Sequence, residues 1–233
     1  MTKLSLIIPC YNEEKNIKKL FNDIYKIKNK LSIEIIIINN GSTDNSKKVI
    51  NLNKKKIKGI KIINFEKNVG FGHGVKMGIS KAKSKAVCYM HGDLQIDIKN
   101  VLKTYRIYES EKSKKIFVKS KRSNRPLIDI FFTFLMSVFN SVLFRKYLYD
   151  IHAQPNLFHK SMIKNIKQLP NDMSLDLYIF LCAKFYNYKI VRFKVNFLKR
   201  KHGVGSNDNL IKKVKYSLHS LFSSLKIFFN ASF

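Results

Sequence analysis

The sequence predicts an α/β protein with a mostly parallel central sheet and helices on both faces. Three observations carry that expectation. Short β-branched runs alternate with stretches of helical periodicity up to residue 120. Polar and glycine-rich clusters fall where those runs end, the edge at which parallel sheets bind ligands. Beyond residue 120 the chain turns basic and then strongly apolar, with no repeat and no second independent domain.

Residues 3–9 (KLSLIIP) form the first expected strand, ended by Pro9. A helix follows from Asn12-Glu13-Glu14, with Ile17, Leu20, Phe21, Ile24 and Ile27 recurring at helical spacing. Ile33 to Ile38 make a second strand, closed by Asn39-Asn40-Gly41. Ser42 or Thr43 is placed to cap the next helix, which turns Ile50 inward. A third strand spans 60–63, and the glycine-rich run from Asn68 to Gly78 leads into a helix through Ala82. A fourth strand, 86–90, ends at His91-Gly92-Asp93. A helix is expected over 97–109, a strand over 115–119, and a basic loop over 119–126.

The apolar segment 130–144 carries a narrow polar stripe of Thr133, Ser137, Asn140 and Ser141. At its length it reads as a buried or interfacial helix rather than a span. At the C-terminus Ile211, Val214, Leu218, Leu221, Leu225 and Phe228 keep a 3-4 spacing, with Lys212, Lys213, Lys215 and Lys226 largely off that stripe. A basic amphipathic helix over 209–233 suits an anionic membrane surface; core packing or a dimer contact is its plainer use.

The 233 residues carry 45 Lys+Arg against 15 Asp+Glu, a formal charge of +30. Nucleic acid, an anionic membrane and a phosphorylated substrate all suit that sign. No RNP, helix-turn-helix or zinc-finger pattern supports a nucleic-acid-binding protein, so nucleic acid is not expected as a partner. Cys10, Cys88 and Cys182 show no paired or metal-ligand spacing and read as buried thiols in a reducing cytoplasm. The N-terminus enters a strand without a signal-peptide pattern, which fits the same compartment.

Asp93-Leu94-Gln95 follows a strand end and puts a carboxylate and an amide oxygen two residues apart. Both oxygens suit one hard cation, Mg²⁺ or Mn²⁺; taken alone, the pattern better fits a surface turn, and its place at a strand end behind the glycine-rich segment favours the cation. Gly70, Gly72, Gly74 and Gly78 at a loop-to-helix junction permit close approach of a phosphate or tight helix packing.

The runs LSLIIPCYNEEKNI, IIIINNGSTDNS and NVGFGHGVKMGISKAKSKAVCYMHGDLQID resemble the catalytic domain of family 2 glycosyltransferases. They are most similar to the branch of dolichyl- and polyprenyl-phosphate sugar synthases. A weaker likeness continues through Asp150-Ile-His-Ala-Gln-Pro, Asn171-Asp-Met-Ser-Leu-Asp and Arg200-Lys-His-Gly, with Gly203-Val204-Gly205-Ser206 out of step by about one residue. The resemblance implies a GT-A fold over residues 1–208, with a donor half of about 1–97 and an acceptor half of about 98–208. It implies an inverting, metal-assisted transfer of a hexose from a UDP- or GDP-sugar to a polyprenyl or dolichyl phosphate. The protein would then lie on the cytoplasmic face of the cell membrane. A glycan hydroxyl in lipopolysaccharide, capsule or another surface polysaccharide is the alternative acceptor.

By the same resemblance Pro9, Tyr11 and Glu13 contact the nucleotide. Asn39 and Asn40 stand where the family has two acids, and Asn68, Gly70 and Lys76 belong to the donor loop. Asp93 and Gln95 ligate the metal, and His91, in place of the first acid of the metal motif, either touches the donor's ribose or phosphate or is inert packing. Arg122 and Arg125 fall where related lipid-phosphate enzymes hold phosphate, and Arg forks suit phosphate oxygens better than Lys. Arg200 matches a later basic motif. Asp172 and Asp176 match acids on the acceptor side, as a general base or as a helix cap and a paired charge.

Overall fold

In a computed structural model, residues 2–164, 169–203 and 209–231 are described. The motif residues Gly205 and Ser206 and the expected boundary after residue 208 lie outside them.

The elements run β1 (Leu4–Cys10), α1 (Glu14–Lys28), β2 (Ile33–Asn40), α2 (Ser46–Lys54), β3 (Ile60–Phe65), α3 (Phe71–Lys81), β4 (Ala86–Tyr89), α4 (Asn100–Ser110), β5 (Ile116–Ser123), α5 (Leu127–Phe144), β6 (Asn156–His159), α6 (Leu175–Phe185), β7 (Lys189–Asn196) and α7 (Leu210–Asn230). The strands form one seven-stranded sheet in the order β3-β2-β1-β4-β6-β5-β7. Only β6 runs against its neighbours β4 and β5; the other pairings are parallel. The mostly parallel α/β architecture predicted by the sequence is therefore the one the chain adopts.

Isoleucines alternate between two cores across the sheet. Ile8, Ile35 and Ile37 pack under α1, α2 and α4. Ile7, Ile36 and Ile38 pack against α3 and α6 on the other face. Full burial of one such side chain contributes about 1.5–3 kcal/mol, so the register of these strands is strongly fixed.

Several local expectations change. β1 continues through Pro9 to Cys10, in register with Ile38 and Asn39. Pro9 accepts from Gly92 N–H, so its backbone faces β4 beyond that strand's end at Tyr89 and loses no ladder bond. Ser42 and Thr43 do not cap α2; they bond Asn12, and Asp44 instead accepts from Ser46 N–H at 2.9 Å and Glu14 N–H at 3.1 Å. One carboxylate thus serves the starts of α1 and α2. The basic segment expected as a loop continues β5 through Arg122 and Ser123, because β7 pairs with it in register.

Helices α5 and α7 pack side by side, through the Phe144–Phe228 ring contact and a Lys213–Asp129 ion pair at 2.7 Å. Their outer sides leave Leu127, Phe131, Phe134 and Val142 on α5, and Ile211, Leu218, Phe222 and Phe229 on α7, exposed.

Candidate active site

A cleft of about 800 Å³ opens at the carboxyl ends of β1 and β4 and extends to α5 and α7. Pro9, Tyr11, Glu13, Asn40, Asn68, His91, Asp93, Gln95, Arg122, Arg125 and Arg200 all line it. Chain segments as far apart as Pro9 and Arg200 therefore meet in one site, because the parallel topology returns each strand end to the same rim.

At the β1 end Glu13 is buried and accepts from Asn16 Nδ2 and from Arg200 Nη2, each at 2.5 Å. Burial raises its pKa; Asn16 and Arg200 pull it back without cancelling the rise. Arg200 also reaches Asp93 Oδ2 at 3.5 Å, bridging the two carboxylates. The Asp93 turn is held by Gln95 N–H bonding Asp93 Oδ1 at 3.1 Å, with Leu94 in the left-handed region at φ 61°. The Gln95 amide nitrogen donates to the Leu198 carbonyl, which commits the nitrogen and leaves the oxygen for another partner. Among the described residues no three His, Cys, Asp or Glu side chains cluster as a metal cage. A carboxylate and an amide oxygen still fit a hard cation whose remaining positions are filled by water and a diphosphate. His91 stacks on Phe71 with ring centroids 4.7 Å apart.

Asn40 reaches the cleft and donates to Asn68 Oδ1 at 3.0 Å. Gly41 beside it, at φ 67°, lies so close to Lys67 that a Cβ would fall 2.1 Å from its carbonyl carbon. Three residues expected on the donor side do not line the cleft. Asn39 points away from the cleft, donating to Asn64 Oδ1 and accepting from Ser42 N–H. Gly70, at φ 89°, serves packing: a Cβ there would sit 2.4 Å from the Asn171 carbonyl oxygen. Lys76 is tied to the Leu169 carbonyl at 2.9 Å and to Asn171 Oδ1, so its ammonium holds the 169–172 loop rather than a ligand.

At the other end, Arg122 and Arg125 both lie over the Phe197 ring, 5.4 and 5.7 Å from its centroid. Asp150 accepts from Arg122 backbone N–H at 2.7 Å and from its guanidinium Nε at 2.8 Å and Nη2 at 2.5 Å. Arg125 stands 3.9 Å from the same carboxylate and bonds Thr133 Oγ1 at 2.8 Å. Burial would raise the Asp150 pKa, but the charge and bonds of Arg122 outweigh it and hold the carboxyl below its usual range. Burial likewise lowers the Arg125 pKa. Two guanidinium groups thus share one close carboxylate on the cleft wall.

The two acceptor-side acids part company. Asp172 sits before α6, accepting from Ser174 N–H at 3.0 Å, from Ser223 Oγ at 3.3 Å and facing His219 Nε2 at 3.3 Å. It is a loop cap tied to α7. Asp176 is fully buried, with Tyr89 Oη at 2.7 Å, Asn156 Nδ2 at 3.3 Å, Gln154 Nε2 at 3.3 Å and His152 Nδ1 at 3.4 Å. That burial keeps it out of direct contact with an acceptor, and it meets the cleft through His152 and Gln154.

Sequence reasoning gave no role to His152 or Tyr216, which line the cleft, or to Lys119 beneath it. Lys119 is fully buried, bonds the carbonyls of Ile151 and Ala153, and has its pKa lowered by burial to about 7. The polar side of α7, with Lys212, Lys213, Tyr216, Ser220 and Ser223, turns into the cleft. Lys212 and Lys213 therefore do not face outward as the amphipathic reading expected, because Asp129 of α5 draws Lys213 inward. The helical recurrence of those polar positions was the available signal.

Residues 5–126 match the family model described as Glycosyl transferase family 2. A dolichyl-phosphate beta-glucosyltransferase of Dictyostelium discoideum is 31% identical over 42% of this chain and 32% of its own length. A dodecaprenyl-phosphate galacturonate synthase of Rhizobium johnstonii is 24% identical over 87% of this chain and 61% of its own. Each match spans less than two thirds of the relative. The crystal structure of glucosyl-3-phosphoglycerate synthase from Mycobacterium tuberculosis, in complex with Mn²⁺, UDP and glucosyl-3-phosphoglycerate, superposes with a TM-score of 0.73 at 12% identity. That superposition covers 97% of this chain and 80% of the other, and it establishes a shared GT-A fold.

Proposed function

The chain belongs to glycosyl transferase family 2, and from that premise we propose that it transfers a hexose from a UDP- or GDP-sugar to a polyprenyl phosphate at the cytoplasmic face of a membrane. The observation that carries this reading is the Arg122–Arg125 pair, which shares the Asp150 carboxylate and faces the cleft. The excess positive charge there suits a phosphate with two negative oxygens. The wall above it is made by α5 and α7, polar toward the cleft and apolar toward the outside. A lipid whose phosphate enters the cleft and whose chain stays outside matches both sides.

Tyr11, Glu13 and Asn40 bound the nucleotide end, and Asn68 fixes the Asn40 amide. Asp93 and Gln95 would hold Mg²⁺ or Mn²⁺, which when bound would offset the diphosphate charge as the bond to the sugar breaks. Arg200 is within reach of the same diphosphate end. Arg122 and Arg125 orient the acceptor phosphate for attack on the anomeric carbon. At 18 residues α5 is long and apolar enough to cross a membrane, but its inner side lines the cleft with Asp129, Thr133, Ser137 and Asn140, so a peripheral seat is proposed rather than a span.

The test is transfer from UDP-glucose, UDP-GlcNAc and GDP-mannose to a short-chain polyprenyl phosphate, read as labelled product in the organic phase. Arg122→Ala should raise the acceptor KM about ten- to a hundredfold, the worth of a charge-assisted contact, with a smaller effect on the donor. Transfer to a glycan hydroxyl, with none to polyprenyl phosphate, would replace this reading by the surface-polysaccharide one.

A further inference from the structure

We infer that His152, oriented by Asp176, accepts the proton of the acceptor's phosphate group before transfer; this rests on the phosphate-acceptor reading above. His152 lies two residues beyond Asp150, the carboxylate that binds Arg122, and so stands beside the proposed phosphate seat. Its ring lines the cleft, while Nδ1 faces Asp176 Oδ2 at 3.4 Å and the ring edge meets Tyr216 at a centroid separation of 5.8 Å. Among the described residues Nε2 has no hydrogen-bond partner.

Asp176 has the surroundings of an orienting group. Three neutral side chains, Tyr89, Gln154 and Asn156, direct hydrogens at its carboxylate in the floor of the cleft. Burial would raise its pKa, but the His152 bond, the nearby Lys119 charge and the Tyr89 bond outweigh that and leave it below the usual range. An ionised carboxylate accepts only, so His152 Nδ1 must carry the hydrogen, and Nε2 is left as the basic nitrogen on the cleft side. The other ionisable groups around the pair are Tyr89 on β4, Lys119 and Arg122 on β5, Tyr216 on α7 and Asp172 before α6. Burial raises the Tyr216 pKa far from neutrality, so it does not compete for the proton.

A phosphate monoester has a second pKa of about 6, so part of the acceptor arrives carrying one proton. His152 Nε2 takes that proton from the P–O–H group. The freed oxygen forms the new bond to the anomeric carbon, and the bond from that carbon to the diphosphate breaks. The nucleoside diphosphate departs with the electron pair, and the imidazolium returns its proton to solvent after product leaves.

The experiment compares wild type, His152→Gln and Asp176→Asn with a short-chain polyprenyl phosphate at saturating donor, from about pH 5.5 to about pH 9. For His152→Gln, kcat/KM for the acceptor should fall about fourfold below wild type near pH 5.5, where about three quarters of the acceptor carries a proton, and match wild type near pH 9, where the acceptor is already a dianion. Asp176→Asn should move the same acid limb. A polyprenyl phosphorothioate, whose second proton is more acidic, should restore His152→Gln near pH 5.5. A His152→Gln profile parallel to wild type, or no rescue by the phosphorothioate, overturns the inference while the acceptor reading stands. Failure of the wild type to use polyprenyl phosphate at any pH overturns both. The His152 variant, on the cleft surface, keeps the test decisive if the buried Asp176 change prevents folding.

Discussion

Asp150→Asn tests the arginine wall most directly. Asp150 sits at φ 47°, a region asparagine tolerates well, so the substitution leaves the backbone at ease and removes only charge and acceptor capacity. The side chains of Asp150 and Arg122 are 2% and 13% exposed. Breaking a buried pair by removing one partner costs about 3–5 kcal/mol. The lower end applies, because the amide oxygen still accepts one bond and Arg122 retains a little water. About 3 kcal/mol in a domain of this size lowers Tm by roughly 6–12 °C. The sign with pH follows from the depressed folded pKa. The Asp150 contribution is complete above its ordinary value of 3.8 and is lost as pH falls through the lower folded value. Urea unfolding of both proteins at neutral pH and in acid supplies the measurement. The gap between them should be widest near neutrality and close in acid. A gap under about 1 kcal/mol at neutral pH would mean that Arg122 is satisfied without Asp150 and would refute the charge-sharing argument.

Two further outcomes are expected. Asp93→Ala should cut transfer at least about a hundredfold and weaken UDP or GDP binding in Mn²⁺, measured calorimetrically, while Tm stays near wild type because Asp93 lies on a turn at the cleft; near-normal activity would remove Asp93 from the metal site. Gly70→Ala should destabilise by about 1–3 kcal/mol in urea, because its φ of 89° is strained for alanine and a Cβ would strike the Asn171 carbonyl oxygen. An unchanged midpoint would mean that the 169–172 loop yields freely.

The first half of the fold was legible because Ile, Val and Leu runs such as 33–38 are bounded by Asn, Gly and Asp. In the second half β5, α5 and α7 were legible, but α6 and β6 were not. α6 reads LDLYIFLCAKF, buried nearly all round, so it lacks the polar face that helical periodicity depends on. β6 is four residues long and gains its place only by pairing with β4 and β5. Within the site, the residues at strand ends were visible, since position along a parallel sheet predicts the rim. Partnerships across the chain were hidden: Tyr89 and Asp176 lie 87 residues apart, and Arg200 and Glu13 lie 187 apart. The partner of Lys76 was hidden in the same way, since Asn171 comes 95 residues later.

The outward apolar sides of α5 and α7 have a thermodynamic consequence. In plain buffer the native fold keeps Phe131, Phe134, Leu218 and Phe222 in contact with water, so that surface adds little to the free energy of folding. Any amphiphile that coats it binds the native arrangement and not the unfolded chain, and by mass action it displaces the unfolding equilibrium toward the native state. Unfolding temperature measured without detergent or lipid therefore understates the cohesion of the α5–α7 pair. That temperature should climb with amphiphile concentration below the denaturing range, most steeply for the segments that close the arginine wall.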